Sequence, residues 1–126
     1  MKRILVIDDD DQLRQMIRQI LERSHYDVLD APNGKEGIAI YRRDNPDLVI
    51  TDIFMPEKEG LETIRELRRE YPEVKIIAIS GGSPKTEGFS SLQFAIGFGA
   101  LKTLAKPFSR DQLLQLVREL LGEKTP

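Results

Sequence analysis

The chain has 126 residues, of which 40% are hydrophobic and 32% are charged. This length suits one domain with a buried core, and the hydrophobic content argues against disorder. Its 19 basic and 21 acidic residues leave a net charge of −2, which does not favour nucleic-acid binding through bulk positive charge. Because there is no cysteine and one histidine, disulfides, thiolate metal sites and multi-histidine metal sites are excluded.

The N-terminal apolar run at residues 4–7 is too short for a secretory signal. No segment approaches the ~20 apolar residues that a membrane span requires. We therefore expect a cytoplasmic protein without a membrane segment. We also expect one domain over residues 1–126, with its core at 2–121 and a short tail at 122–126.

Short apolar runs recur along the chain and predict five strands, at residues 4–7, 26–31, 48–51, 75–79 and 100–105. The first, third and fourth runs are almost continuously apolar and rich in Ile and Val, which is typical of strands buried on both faces of a parallel sheet. The second and fifth runs are more mixed, which favours positions at the edges of that sheet.

Helical patterns lie between these runs. An apolar stripe over residues 13–21 predicts a first helix, with Asp10 or Asp11 as its cap and a favourable pair between Asp10 and Arg14. Asn33 and Glu36 predict the start of a second helix. Further helices are predicted around residues 61–67, which Tyr71-Pro72 ends, at 89–98, and after the capping-box pair Ser109 and Gln112, with Gly122 as a stop.

The alternation of strands and helices predicts a (βα)₅ α/β fold with helices on both faces of one parallel sheet. In such sheets, ligands bind at the carboxyl ends of the strands. The first strand ends in four aspartates at residues 8–11, the third in Asp52 and the fourth in Ser80, while Lys106 follows the fifth.

These side chains predict a phosphoryl-handling site. Neighbouring carboxylates repel one another and favour a hard cation such as Mg²⁺. A lysine and a hydroxyl beside them can stabilise phosphoryl oxygens, and an aspartate can itself accept the phosphoryl group.

Four motifs stand at these strand ends: ILVIDD at residues 4–9, DLVITDIFMP at 47–56, IIAIS at 76–80, and Gly99-Ala100 with KPF at 106–108. In this order they resemble the response-regulator receiver domain of two-component signalling, over residues 2–121. The resemblance implies a flavodoxin-like sheet of order 2-1-3-4-5. It also implies a regulatory phosphoacceptor rather than an enzyme, beyond self-catalysed phosphoryl transfer and dephosphorylation.

Site residues follow from the resemblance by position. Asp52 corresponds to the phosphoacceptor. The residues implied for Mg²⁺ are Asp8, Asp9, Asp52 and the main-chain carbonyl of Phe54, with Asp9 favoured over Asp8 as the direct ligand of the pair. The residues implied for the phosphoryl group are Ser80 and Lys106. The Lys106-Pro107 peptide corresponds to one that is cis in the family.

The implied partners are a histidine kinase or phosphotransfer protein and an unidentified downstream effector or output domain. Direct binding to nucleic acid is not expected. The family resemblance allows a monomer or a phosphorylation-dependent dimer.

Two features depart from the family pattern. Thr103 occupies the position where the family has an aromatic residue that moves on activation. The stretch from Ser80 to Gly99 is longer than usual and contains Phe89, Phe94 and Phe98. We therefore expect this stretch, rather than residue 103, to be the moving part of the switch.

Three other functions are compatible with parts of the pattern. An aspartate-nucleophile phosphatase of the haloacid-dehalogenase type needs an acid two residues after the nucleophile, where this chain has Phe54. A flavodoxin-like electron carrier is disfavoured because four aspartates would repel the flavin phosphate. A receiver that works without phosphorylation is suggested by Thr103, but the intact set of Asp52, Ser80 and Lys106 argues against it.

Overall fold

The computed structural model describes residues 1–53, 59–80, 96 and 99–123. Its strands are β1 (Arg3–Ile7), β2 (Asp27–Ala31), β3 (Leu48–Asp52), β4 (Ile76–Ser80) and β5 (Lys102–Ala105). All pair in parallel, and they form one sheet in the order β2-β1-β3-β4-β5. The predicted fold class is confirmed, with the Ile- and Val-rich runs in the centre and the mixed runs at the edges.

The described residues form four helices, α1 (Asp11–Arg23), α2 (Gly34–Asp44), α3 (Glu59–Glu70) and α4 (Arg110–Leu121). Asp10 caps α1 by accepting hydrogen bonds from the N–H groups of Gln12 and Leu13. Asn33 caps α2, and Ser109 forms a capping box with Gln112 at the start of α4. The helix predicted at residues 89–98 lies outside the described residues, except for Ile96.

Alternate side chains of the central strands point to opposite faces of the sheet and form two cores. On one face, Ile4 and Val6 of β1 pack with the apolar sides of α1 and α4. On the other face, Leu5 and Ile7 pack with the apolar sides of α2 and α3. None of the described helices is both long and apolar enough to cross a membrane.

Because both faces of the central strands are covered, their polar residues are confined to the strand ends. The carboxyl ends of β1, β3 and β4 lie side by side in the sheet. The sheet order therefore gathers the residues that follow these three strands at one edge.

Candidate functional site

Asp8 directly follows β1 and is held by its backbone and by its side chain. Its N–H donates to the carbonyl oxygen of Ala31 at 3.1 Å, which ties it to the end of β2. Its Oδ1 accepts a hydrogen bond from the N–H of Asp10 at 2.9 Å. Only 1% of Asp8 is exposed to solvent, whereas the neighbouring Asp9 is exposed. The two adjacent aspartates therefore sit in very different environments.

Asp52 is the last residue of β3, a strand whose five residues are all buried. The residue is 3% exposed, and its Oδ2 accepts a hydrogen bond from Nζ of Lys106 at 3.0 Å. Lys106 follows the edge strand β5 and is brought to Asp52 from a distance of 54 residues in the sequence. The sheet thus places one cation against this buried carboxylate.

Ser80 ends β4, the strand next to β3, and is also buried. Its carbonyl oxygen accepts a hydrogen bond from the N–H of Lys106 at 2.8 Å. The peptide bond between Lys106 and Pro107 is cis, as the resemblance implied. Through this backbone contact the lysine and the serine hold fixed positions beside Asp52.

The carboxylates of Asp8, Asp9 and Asp52 approach one another closely: one oxygen from each lies within 4.8 Å of the others. The pKa of the Asp8 carboxyl is raised to about 6. Burial is the largest cause and the negative charge of Asp52 adds to it, whereas the hydrogen bond from Asp10 acts in the opposite direction. The buried Oδ2 of Asp8 has no hydrogen-bond partner among the described residues. A cation would satisfy this orphan oxygen, and a set of carboxylate oxygens fits Mg²⁺.

The structure brings together the predicted side chains of Asp8, Asp9, Asp52 and Lys106, and it places Ser80 at the end of the neighbouring strand. Phe54, whose carbonyl was predicted as a metal ligand, lies outside the described residues. The predicted switch stretch also lies outside them at positions 81–95 and 97–98. Thr103 is partly buried in β5, in register with Ala78 of β4.

Gly60 of α3 supports the site and was missed in the sequence. A Cβ atom at this position would overlap the carbonyl oxygen of Asp52 and lie 2.5 Å from Cα of Ile53. Such an approach is far closer than non-bonded atoms tolerate, so only glycine lets α3 begin this close to β3. A lone glycine near the start of a predicted helix gave no signal of that approach.

Arg14 of α1 has a different partner from the one predicted. The sequence suggested a pair with Asp10, four residues earlier, but the carboxylate of Asp10 caps the helix instead. Arg14 Nη1 donates to the carbonyl oxygen of Asp8 at 2.7 Å, and its guanidinium lies near Asp30 at the end of β2. The Arg14 side chain therefore contacts the acidic site through the backbone of Asp8.

The doubly wound sheet and the acidic, lysine-containing pocket define a flavodoxin-like domain with its site at the carboxyl edge. The family described as the response regulator receiver domain matches residues 4–118. The chain belongs to this family, whose members are regulatory switches of two-component systems and bind Mg²⁺ at an acidic site.

Similar proteins are themselves response regulators. The chain is 36% identical over 124 residues to the response regulator MprA of Mycolicibacterium vanbaalenii, covering 98% of this chain and 52% of MprA. It thus spans about half the length of that relative. It is 32% identical to the chemotaxis protein CheY of Bacillus subtilis, covering 95% of this chain and 98% of CheY.

A similar solved structure is the response regulator protein TrrA of Thermotoga maritima, in complex with Mg(2+)-BeF. Its TM-score is 0.81 at 36% identity, with coverage of 96% of this chain and 100% of TrrA. Both the fold and the acidic pocket of the present chain are therefore those of a receiver domain.

Proposed function

We propose that this chain is a phosphoacceptor switch that takes a phosphoryl group from a histidine kinase or phosphotransfer protein onto Asp52, in a Mg²⁺-dependent reaction. The observation that carries the proposal is the setting of Asp52. Its carboxylate is buried, paired with Lys106 at 3.0 Å and grouped with two further carboxylates. Two carboxylates buried this close to each other are costly to the fold, and such groups are typical of functional sites.

In the proposed transfer, an oxygen of Asp52 forms a bond to phosphorus while the bond between phosphorus and the donor's histidine nitrogen breaks. The electron pair of the broken bond stays on that nitrogen. Lys106 offsets negative charge at the acceptor, and the hydroxyl of Ser80 is available to donate a hydrogen bond to a phosphoryl oxygen. Both residues act by position and charge, and neither needs to exchange a proton.

We assign the metal site to the carboxylates of Asp8, Asp9 and Asp52, together with the main-chain carbonyl of Phe54. When bound there, Mg²⁺ would neutralise charge on the phosphoryl oxygens and on the carboxylates. Both Asp8 and Asp9 belong to this assignment, and within the pair Asp9 is favoured over Asp8 as the direct ligand. The orphan Oδ2 of Asp8 supports a cation in this pocket.

The wider role is proposed on the same basis. We propose a single cytoplasmic receiver domain over residues 1–126 that changes conformation on phosphorylation and regulates a downstream partner or output domain. It acts as a monomer or as a phosphorylation-dependent dimer and does not itself bind nucleic acid. It is a regulatory domain, with no catalysis beyond its own phosphorylation and dephosphorylation.

Incubation with acetyl phosphate and Mg²⁺ tests the proposal. We expect intact-mass spectrometry to detect one added phosphoryl group on the wild-type chain, and none when Mg²⁺ is removed by a chelator. Asp52→Asn should stay unmodified. Asp111→Asn, which changes an exposed acid in the first turn of α4, is the matched control and should be modified like the wild type. Equal modification of Asp52→Asn would refute the assignment.

A further inference from the structure

The guanidinium of Arg14 lies largely inside the protein, next to the acidic site but outside the set of proposed ligands. Its side chain is 11% exposed. Nη1 donates a hydrogen bond to the carbonyl oxygen of Asp8 at 2.7 Å. Since the N–H of Asp8 is bound to the carbonyl oxygen of Ala31, the backbone of Asp8 is held on both sides.

Two acids hold Arg14 in this position. Its Nη2 lies 2.6 Å from Oδ1 of Asp11, an exposed residue one helical turn earlier. Its Nε lies 3.3 Å from Oδ1 of Asp30, close enough for ion pairing although this Nε makes no hydrogen bond among the described residues. Asp30 is itself largely buried and also pairs with Arg18. Arg14 therefore connects α1, the end of β2 and the end of β1.

We propose that Arg14 is a positioning residue for the cation site: it fixes the Asp8 peptide so that the Asp8 carboxylate stays close to those of Asp9 and Asp52. The inference rests on the proposed function, because it assumes that a divalent cation binds this pocket. Arg14 touches neither the cation nor the phosphoryl group in this assignment. It acts only through the backbone of Asp8.

The shape of the guanidinium is what makes this role specific. Its planar fork reaches the carbonyl oxygen of Asp8 with one nitrogen while others face Asp11 and Asp30. The ammonium of a lysine is a point charge that cannot hold all three positions at once. Groups that orient metal ligands in this way change metal affinity by about 10- to 100-fold when they are removed.

Binding of Mn²⁺ to the full chain, followed by the loss of the free-ion electron paramagnetic resonance signal, tests the inference without any phosphorylation. We expect Arg14→Met to weaken Mn²⁺ binding about 10-fold, and Arg14→Lys to recover only part of that loss. Arg18→Met is the matched control, because Arg18 also pairs with Asp30 but does not contact Asp8. It should bind Mn²⁺ within about twofold of the wild type, since it lacks any contact that orients a ligand.

A second readout separates positioning from general loss of structure. The amide nitrogen of Asp9 shares a peptide group with the carbonyl of Asp8, so its ¹⁵N chemical shift reports the hydrogen bond from Arg14. That shift should move in both Arg14 variants and stay unchanged in Arg18→Met. If Arg14→Met does not fold, Arg14→Lys alone still makes both measurements.

The outcomes are distinct. Wild-type affinity in Arg14→Met, full recovery by Arg14→Lys, or an equal loss in Arg18→Met would each overturn the positioning role while leaving the proposed function intact. Failure of the wild-type chain to bind Mn²⁺ would instead overturn the cation site of the proposed function, and the inference with it.

Discussion

Charged side chains are exposed at the amino ends of the strands, whereas two carboxylates are buried at their carboxyl ends. At the amino ends, Arg3 of β1 and Asp27 of β2 lie in register and pair through Nε and Oδ2 at 2.9 Å, with their side chains 43% and 45% exposed. At the carboxyl ends, Asp8 and Asp52 are almost fully buried, and Nζ of Lys106 lies 3.0 Å from Oδ2 of Asp52.

The difference separates charges that the fold can accept from charges that a function requires. The Arg3–Asp27 pair at the amino ends remains exposed to water, and its two charges balance each other. It therefore has little effect on the free energy of unfolding. The carboxylates of Asp8 and Asp52 at the carboxyl ends are shielded from water, which makes their charges costly. Since the strands and their packing are shared, the second arrangement is the one that the proposed function would require.

The largest effect is expected from the close packing of α3 against the carboxyl end of β3. Gly60→Ala should destabilise the protein by about 3 kcal/mol or more, because its Cβ would overlap the carbonyl oxygen of Asp52 and the backbone of Ile53. The urea dependence of the circular dichroism signal measures this loss. Phosphorylation of the folded fraction by acetyl phosphate should also fall, since α3 can only accept the methyl group by moving away from Asp52.

Gly122→Ala is the matched control at the other end of the sheet. Gly122 ends α4 with φ of 72°, and no atom lies within 4 Å of the position that a Cβ would take there. Lys75, which precedes β4, donates to the carbonyl oxygen of Leu120, which places this helix end near the amino ends of the strands. The control should lose only about 1 kcal/mol from the left-handed backbone. Equal losses in the two variants would contradict the importance of close packing at Asp52.

Asp8→Asn tests the charge itself. The folded-state pKa of Asp8 is about 6, above the ordinary value of 3.8, so the folded protein holds this proton more tightly than the unfolded chain does. This proton therefore adds up to about 3 kcal/mol to the free energy of unfolding. The contribution is fully present below about pH 4 and is lost as the pH rises through about 6. The asparagine variant carries no charge, so without metal it should be more stable than the wild type at neutral pH.

The difference in stability between Asp8→Asn and the wild type should disappear below about pH 4, where the Asp8 carboxyl is protonated in both the folded and the unfolded state. Mg²⁺ that binds the folded state stabilises it, and the gain grows with the affinity for the ion. Asp8→Asn removes one carboxylate from the proposed site, so Mg²⁺ should stabilise the wild type more than this variant. Urea midpoints at both pH values, with and without Mg²⁺, make the comparison. If Asp8→Asn were less stable than the wild type at neutral pH without metal, the buried charge of Asp8 would not be destabilising.

Much of this arrangement could be predicted from the sequence, for local reasons. The central strands were recognisable because burial on both faces leaves continuous Ile and Val, as in β1 and β3. The caps at Asn33 and Ser109 were recognisable because a capping side chain bonds to an N–H three residues away. Asp52 and Lys106 could be placed together because the ends of parallel strands meet at one edge of the sheet.

The contacts between distant side chains could not be predicted in this way. Arg14 had several acids within reach, and its contact with Asp30 depends on how α1 lies against β2. Likewise, Glu70 of α3 pairs with Arg42 of α2 at 2.6 Å, a partner on another helix that no local pattern in the sequence indicates. Periodicity gives the face of a helix, whereas the partner across that face is set by the packing angle and the rotamers.

Asp27→Asn gives the smallest expected effect and completes the comparison with Asp8→Asn, because the same chemical change is made at the opposite end of the sheet. Asp27 is nearly half exposed, and asparagine keeps an oxygen that can accept the hydrogen bond from Arg3. The lost attraction is weak in water and is screened further by salt. We therefore expect no resolvable change in the urea midpoint at neutral pH. Added Mg²⁺ should stabilise this variant as much as the wild type, since the substitution lies far from the acidic cluster. A shift as large as that of Asp8→Asn would mean that burial does not distinguish the two ends of the sheet.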